Sequence, residues 1–472
     1  MTTAIRSLTD MSIAELGKHI KAKQVSPVEV MEATLARAQA LQPKINAFIT
    51  LTPERAMAAA HAAETEILNG KYRGPLHGIP LGVKDLVATK GVPTSSGAYF
   101  EKDHIPSEDA TVVARLTEAG AIGVGKTSTV QFAYGSIEHD ARFGDARNPW
   151  NTGRVTTGSS TGSAAAVAAR VVPLAIGTDT GGSIRMPSAS CGITGIKPTF
   201  GLVSRFGVTG ISWSLDHVGP MTRSALDCAI ALNVFVGHDP RDASTVQRPK
   251  TDYTRGIRNG IDGMRVGVPW DYIRPLWDGE VETAFLNALK TLESLGARVE
   301  EVKIPELDQT DAMFPVISGV EVAEMHRDRL KAHAKEYHQD IRRRIETGFF
   351  VPATAYVHAQ RLRRGLGRKF AQVFQTYQLL ATPANLVPAF PIGQKLVTVR
   401  GKEVHHVELV LRMMRIYNIN GVPAVSLPAG FSRDGLPLSL QLAGKWFDDP
   451  LVLRAAHAFQ QATDHHLRKP EL

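Results

Sequence analysis

Along the first seventy residues the apolar positions fall at helical spacing. Ile13, Leu16 and Ile20 share one face behind Asp10 and Ser12. Residues 26–29 read S-P-V-E, a cap with proline in the first turn of a helix that reaches residue 40, and Pro53 opens an alanine-rich helix to residue 68. A short strand at 46–51 separates them, and residues 1–70 are expected to wrap a larger body. From residue 76 the period changes. Ile79, Leu81 and Val83 alternate as in a strand that ends at Lys84 and Asp85; a helix at 109–118 turns Val112, Val113 and Leu116 inward, and 121–125 is the next strand.

Further on, the pattern predicts a helix at 163–170, a strand at 172–177, a turn at 181–186 entering another helical segment, buried strand and turn at 191–197 and 201–204, and an apolar helix at 222–236. Residues 238–254 are the most polar stretch and read as a surface connection. A strand at 265–269, a helix at 280–295 carrying Val281, Phe285, Leu289 and Leu292 on one side, and a strand at 298–302 follow. This strand-helix-strand order implies parallel neighbours in a sheet covered by helices, hence the α/β class. Helices at 319–334 and 353–378, a strand at 379–382, a hairpin or helix start within 395–408, strands at 424–427 and 438–442 and a closing helix at 449–462 complete the reading. With no internal repeat and no flexible linker, residues 1–472 are expected to form one domain.

Composition narrows the classes. Hydrophobic residues make up 43% and charged residues 21%, as in globular proteins. The net charge of +8 is spread among acids apart from short clusters at 342–344 and 361–364, so nucleic acid is not an expected partner. Arg361, Arg363, Arg364 and Arg368 spread over several helix faces and read as solvated charge. Cys191 and Cys228 can form neither a disulfide framework nor a four-ligand metal site, and Cys191 reads as an ordinary buried thiol. The N-terminus has Arg6 but no long apolar region, and no run of 18 apolar residues occurs, so a cytoplasmic location without membrane or secretory signal is expected.

Two arrangements that suggest other chemistry fail on inspection. Residues 120–127 read G-A-I-G-V-G-K-T, the spacing of a phosphate-binding loop, but the first glycine ends a helix and the strand lies between the glycines, so Lys126 is expected to be structural. Glu138, His139 and Asp140, like the His405-His406 and His465-His466 pairs, are too close in sequence to converge on one metal ion.

Residues 157–163 (T-G-S-S-T-G-S) and 177–185 (G-T-D-T-G-G-S-I-R) set hydroxyls among glycines, where backbone and ligand can approach closely. Serine is a weak nucleophile and needs a base or relay. His77, His217 and His326 are available, but none stands in a nucleophile context and no G-x-S-x-G elbow occurs. Lys84 lies at the end of an apolar strand, where desolvation would favour the neutral amine; otherwise its ammonium would reach solvent, and Ser183 would serve as a helix cap.

The G-I-P-L-G-V-K-D run at 78–85, the two serine loops, G-I-K-P at 195–198, G-P-M at 219–221 and N-x-x-G-V-P-A-V-S-L-P-A-G from Asn418 resemble the amidase signature family. The resemblance extends from about Leu8 to the final helix and is loose over 242–380. It implies one large α/β domain with a twisted, mixed central sheet and helices on both faces. It also implies Ser183 as nucleophile, Ser159 as bridging serine after a cis peptide bond, and Lys84 as base, with Ser160 the competing bridge on the residues alone. Backbone amides of Thr180, Gly181, Gly182 and Ser183 would form the oxyanion hole, Asp179 would anchor that loop, and Arg185 would pair with a carboxylate or with carbonyls behind it. The implied reaction is hydrolysis of an amide carbon–nitrogen bond by water, with no metal or organic cofactor.

Thr157 and Thr161 stand where the family has glycines, Gln378 where an aspartate is expected, and residues 384–386 replace a threonine-proline run. The loop at 136–143 also departs from the amidotransferase A subunit, which favours a stand-alone enzyme, monomeric or homodimeric. Its expected substrate is a small apolar or aryl amide, with carbamates or esters chemically accessible. The alternative is the glutaminase-type A subunit of an amidotransferase complex. The divergent region, with Met313, Phe314, Ile317, Phe349, Phe350 and Tyr356, is expected to supply an apolar pocket.

Overall fold

A computed structural model describes residues 7–135, 137 and 140–472. The N-terminal helices form where their caps direct them. Ser12 starts Ile13–Lys21 and Ser26 starts Pro27–Ile45, each in a reciprocal capping box, with Glu15 and Glu29 respectively. Such a cap contributes about 1 kcal/mol. The second helix runs past residue 40, through Pro43, and Asn46 in the left-handed region ends it. The helix Pro53–Leu68 follows.

The strands in chain order are β1 (Phe48–Leu51), β2 (Pro80–Lys84), β3 (Ile122–Thr127), β4 (Arg147–Asn148), β5 (Asn151–Val155), β6 (Leu174–Asp179), β7 (Thr194–Lys197) and β8 (His217–Thr222), then β9 (Arg265–Val268), β10 (Arg298–Glu301), β11 (Leu379–Pro383), β12 (Leu396–Val399), β13 (Lys402–His405), β14 (Ala424–Phe431) and β15 (Pro437–Gly444). Eleven join one sheet in the order β1-β3-β2-β6-β8-β7-β14-β15-β11-β9-β10, while β4-β5 and β12-β13 form separate ribbons. The sheet is mixed. β2 runs parallel to β3 and β6, and β9 runs parallel to β10 and β11 as its strand-helix-strand order predicts. The other pairs are antiparallel, so the chain is a single α/β domain flanked by helices, with an apolar core on the sheet.

Several boundaries depart from the sequence pattern. The strand β8 carries Gly219 and Pro220, residues that argue against a central strand, yet it pairs with β6 and β7 and is buried throughout. The helix expected at 319–334 begins at Thr310, with Pro315 inside it. Residues 395–408 hold both alternatives, the β12-β13 ribbon and the start of the helix His406–Asn420.

The phosphate-loop spacing is structural. Gly120 follows the helix Thr111–Glu118, and Gly125 lies within β3, where a Cβ would come 2.2 Å from Thr50 O of β1. Glycine is needed there for the approach of two strands. Lys126 is buried and donates to Val87 O, to Thr89 Oγ1 at 3.1 Å and to Thr94 Oγ1 at 3.0 Å. Burial lowers its pKa to about 8, against Asp85 and Asp109.

Among the described residues no helix is long and apolar enough to cross a membrane, and no group of three or more His, Cys, Asp or Glu side chains is gathered to hold a metal ion. Residues 1–6, which include Arg6, lie outside the described residues, as do Glu138 and His139; Asp140 pairs with Arg142 at 2.7 Å.

Candidate active site

The adjacent parallel strands β2 and β6, third and fourth of the eleven in the sheet, end side by side, and it is outside the carboxyl ends of strands that open α/β sheets hold ligands. Lys84 ends β2, and Thr178 and Asp179 end β6. The helix Thr161–Ala168 runs between them and the first helices, and all eight of its residues are buried, so its alanines and Gly162 are small because every face packs. A Cβ on Gly162 would come 2.1 Å from Ala47 O and 2.3 Å from Ser128 N.

At the head of this helix the peptide bond between Gly158 and Ser159 is cis. Both serines face Lys84. Its Nζ lies 2.8 Å from Ser159 Oγ, 2.9 Å from Ser160 Oγ and 2.8 Å from Thr178 Oγ1. Lys84 is fully buried. Burial pushes its pKa well below that of an ordinary lysine, against the pull of Asp179 and Asp216. A neutral amine in that place has a lone pair to accept a hydroxyl proton.

The two serines differ in their other bonds. Ser160 Oγ donates to Thr178 O and accepts from Thr178 N, both at 3.3 Å, which ties it to the end of β6. Ser159 Oγ has Lys84 as its hydrogen-bond partner. A Cβ on Gly177 would come 3.2 Å from Ser160 Oγ and 2.7 Å from Met221 Sδ, which explains a glycine in mid-strand. The threonines that replace glycines are absorbed locally: Thr157 Oγ1 donates to Thr156 O at 2.7 Å, and Thr161 Oγ1 donates to Ser128 O at 3.0 Å.

The second serine loop is held from behind by Asp179. Its carboxylate accepts from Gly182 N at 2.8 Å, Ile184 N at 3.2 Å, Asn418 Nδ2 at 2.8 Å, and Arg185 Nε and Nη2, both at 3.0 Å. Burial alone would raise the pKa of Asp179, but Arg185, Lys197 and Asn418 outweigh it and hold the carboxyl well below the usual range. Arg185 also donates to Met414 O at 3.1 Å, Gln441 Oε1 at 2.7 Å and Asn418 Oδ1 at 2.6 Å. Asp179 and Arg185 thus form one buried ion pair, and Asn418 and Gln441 join it.

This arrangement changes the set of amides open to an oxyanion. Gly182 N is committed to Asp179 Oδ1, whereas no acceptor meets Thr180 N, Gly181 N or Ser183 N among the described residues. Gly182 has φ +118°, and a Cβ there would lie 2.5 Å from Met414 Cβ. Thr180 Oγ1 donates to Asp216 Oδ1 at 2.5 Å, which pins the start of the loop.

Ser183 lines a cavity of about 180 Å³ together with Thr180, Gly181, Met186 and Phe314. Its carbonyl accepts from Ser160 N at 3.3 Å. No hydrogen bond joins Ser183 Oγ directly to Ser159 Oγ among the described residues. Hydrogen bonds of this kind are often long before a substrate is bound.

The histidines are committed elsewhere. His217 Nδ1 lies 2.7 Å from Leu215 O and its Nε2 lies 3.3 Å from Lys197 Nζ. His326 Nδ1 meets Tyr337 Oη at 2.9 Å, and His77 is held near Glu66. Of the six residues expected to supply the apolar pocket, Phe314 lines this cavity, while Met313 and Ile317 are buried in the core. Phe349 and Phe350 are exposed, and Tyr356 Oη donates to Glu321, so none of the three lines it.

Pro315 and Ser318 stand beside Phe314 on its helix and, with Arg344, fall in the divergent region, whereas Tyr134, Ile211, Val407, Leu411 and Arg415 come from segments that the sequence pattern did not single out. Arg363, expected in solvent, donates to Ile419 O at 2.7 Å and to Ser214 O at 2.8 Å. Gln378 holds the backbone of β9 by accepting from Arg265 N at 2.9 Å, and Asn385 donates to Ser190 Oγ at 2.9 Å. Both departures from the family pattern have structural partners.

Comparison with known proteins agrees with this architecture. The A subunit of the glutamyl-tRNA(Gln) amidotransferase of Geobacter metallireducens is 39% identical over 490 residues, covering 98% of this chain and 99% of its own. A chain from a vestigial protein complex tied to the origins of an s-triazine catabolic enzyme superimposes with a TM-score of 0.92 at 33% identity, over 96% and 98% of the two chains. A bacterial aryl acylamidase gives 0.89 at 27% identity over 98% and 99%, and the amidotransferase A subunit of Thermotoga maritima gives 0.79 at 33% over 97% and 96%. The fold thus lies nearer the aryl acylamidase than the Thermotoga protein, although the sequence is nearer the latter. The family model described as Amidase matches residues 29–453, and the chain belongs to the amidase family.

Proposed function

We propose that the protein hydrolyses the amide bond of a small substrate through an acyl-enzyme on Ser183. The observation that carries this reading is the fully buried Lys84 amine, surrounded by the Ser159, Ser160 and Thr178 hydroxyls at the end of β2. Membership of the amidase family supports hydrolysis of an amide as the reaction class.

In the proposed acylation Ser183 Oγ attacks the carbonyl carbon, its proton passes to Ser159, and the proton of Ser159 passes to neutral Lys84. Oxygen charge develops toward Thr180 N, Gly181 N and Ser183 N, the loop amides with no internal acceptor among the described residues. The carbon–nitrogen bond breaks as the nitrogen takes the proton returned through Ser159, and the amine leaves. Water then adds to the ester and releases the acid and Ser183. Ser159 fits the relay better than Ser160, whose hydroxyl is tied to both backbone groups of Thr178.

The apolar wall at Met186, Ile211, Phe314 and Leu411 favours an apolar or aryl portion in the substrate, as does the likeness to an aryl acylamidase. Carbamates and esters present the same carbonyl. A second reading, the glutaminase-type component of an amidotransferase, is favoured by the 39% identity to a protein of that name. A screen of primary amides, anilides, carbamates and glutamine, with acid and amine measured separately, tests the class. Mass spectrometry during turnover should find the acyl adduct on Ser183 and none in Ser183→Ala. An adduct on another residue, or turnover retained by Ser183→Ala, would sink the assignment.

A further inference from the structure

The cavity at Ser183 is not uniformly apolar. Arg344 and Arg415 line it, and no Asp or Glu does so among the described residues. Arg415 is only 9% exposed. Its Nη2 lies 2.6 Å from Asp311 Oδ1, but its Nε is buried and has no hydrogen-bond partner. Asp311 does not neutralise this group by itself, because its Oδ2 accepts from Arg412 Nη1 at 2.6 Å. One carboxylate serves two guanidinium ions. The next acid, Asp308, approaches Arg412 at 3.4 Å with its side chain 75% exposed, where water screens it. Arg344 lies with its guanidinium 5.6 Å from the centre of the Tyr134 ring, which lines the same cavity.

A buried N–H without an acceptor costs free energy, and more so on a charged group. A small turn of the Arg415 side chain toward the cavity that it lines would bring Nε to a ligand oxygen and remove that cost. Guanidinium matches the planar carboxylate best, since two parallel N–H groups meet two oxygens. The apolar walls at Phe314 and Leu411 exclude water and strengthen such a contact.

We propose that the substrate hydrolysed at Ser183 is an amide that also carries a carboxylate, and that Arg415 receives this carboxylate in the cavity beside the nucleophile. The apolar part of the substrate lies between the two groups, against Phe314 and Leu411. This rests on the reading of Ser183 as the nucleophile of an amidase.

Matched anilides provide the test. One pair places a carboxylate or a methyl group at the end of the same short acyl chain; a second pair places them on the aniline ring. In at least one pair the carboxylate form should be preferred in kcat/KM by roughly 10- to 100-fold, the scale of a buried charge-assisted contact. Arg415→Gln should collapse that preference, chiefly through KM, and Arg415→Lys should restore part of it. Equal rates within both pairs, or an unchanged preference in a folded Arg415→Gln variant, would overturn the proposal.

Binding supplies a readout that needs neither turnover nor an Arg415 variant. Ser183→Ala titrated calorimetrically should bind the favoured carboxylate anilide, and should bind its methyl counterpart at least 10-fold more weakly; equal or absent binding counts against the subsite. Failure of the amidase reading has its own signature. In that case wild-type protein cleaves none of the amides and acquires no adduct at Ser183, whereas failure of the carboxylate subsite alone leaves neutral amides cleaved as well as charged ones.

Discussion

Lys84 has no solvent to share its charge with, and its amine sits among three hydroxyls at 2.8–2.9 Å. Desolvation lowers its pKa against the nearby Asp179 and Asp216. In the proposed mechanism the neutral form is the base, so the acylation rate should rise with pH through that lowered pKa and level off below about 10.4, where an ordinary lysine is still charged. Lys84→Arg keeps donors in place but holds its proton, and single-turnover acylation should fall roughly 10²- to 10⁴-fold. Near-normal acylation in that variant would remove Lys84 as the base. The neighbouring serines should separate in the same assay. Ser159→Ala should slow acylation by a similar factor of roughly 10² or more, whereas Ser160→Ala, which breaks the ties to Thr178, should show more in a lowered unfolding midpoint than in acylation. The reverse ranking would give the relay to Ser160.

At the scale of elements, the loop that carries Ser183 is shaped by the buried pair behind it. Asp179 and Arg185 are both fully buried and joined by two contacts of 3.0 Å, and the aspartate also fixes Gly182 N and Ile184 N. Arg185→Leu would leave that carboxylate uncompensated, and denaturant unfolding should register a loss of roughly 3–5 kcal/mol. A loss under about 1 kcal/mol would mean that Asn418 and the backbone amides suffice to hold the anion. Much of this element was expected beforehand, but through the family resemblance of the run 177–185, which implied Asp179 as the anchor of the loop and Arg185 as the partner of a carboxylate or of carbonyls; the local pattern alone left Ser183 open to a helix-cap role. The strand β8 was not expected, since Gly219 and Pro220 oppose strand formation and only its position between β6 and β7 overrides them. The charged end of the cavity was equally hidden. Arg344 sits on a polar helix and Arg415 on an apolar one, and nothing in either local pattern points to the other.

The whole molecule places the candidate site at the ends of two neighbouring strands of one sheet whose strands come from residues 48 to 444, and the cavity draws on segments near residues 134, 181, 314, 344 and 411. Every group in the proposed reaction, from the Lys84 amine to the Thr180, Gly181 and Ser183 amides, therefore belongs to this one chain. An enzyme component that passes ammonia to a partner gains from suppressing hydrolysis until the partner is seated; a stand-alone hydrolase has no such requirement. The protein purified alone is accordingly expected to sediment as a monomer or homodimer and to hydrolyse its amide at full rate, with no second protein, nucleotide or magnesium added. Sedimentation velocity and amine release on the same sample decide this. Turnover that appears only on adding a copurified second protein, with glutamine as the substrate, would assign the chain to an amidotransferase and would explain why its sequence lies nearer the amidotransferase relatives than its fold does.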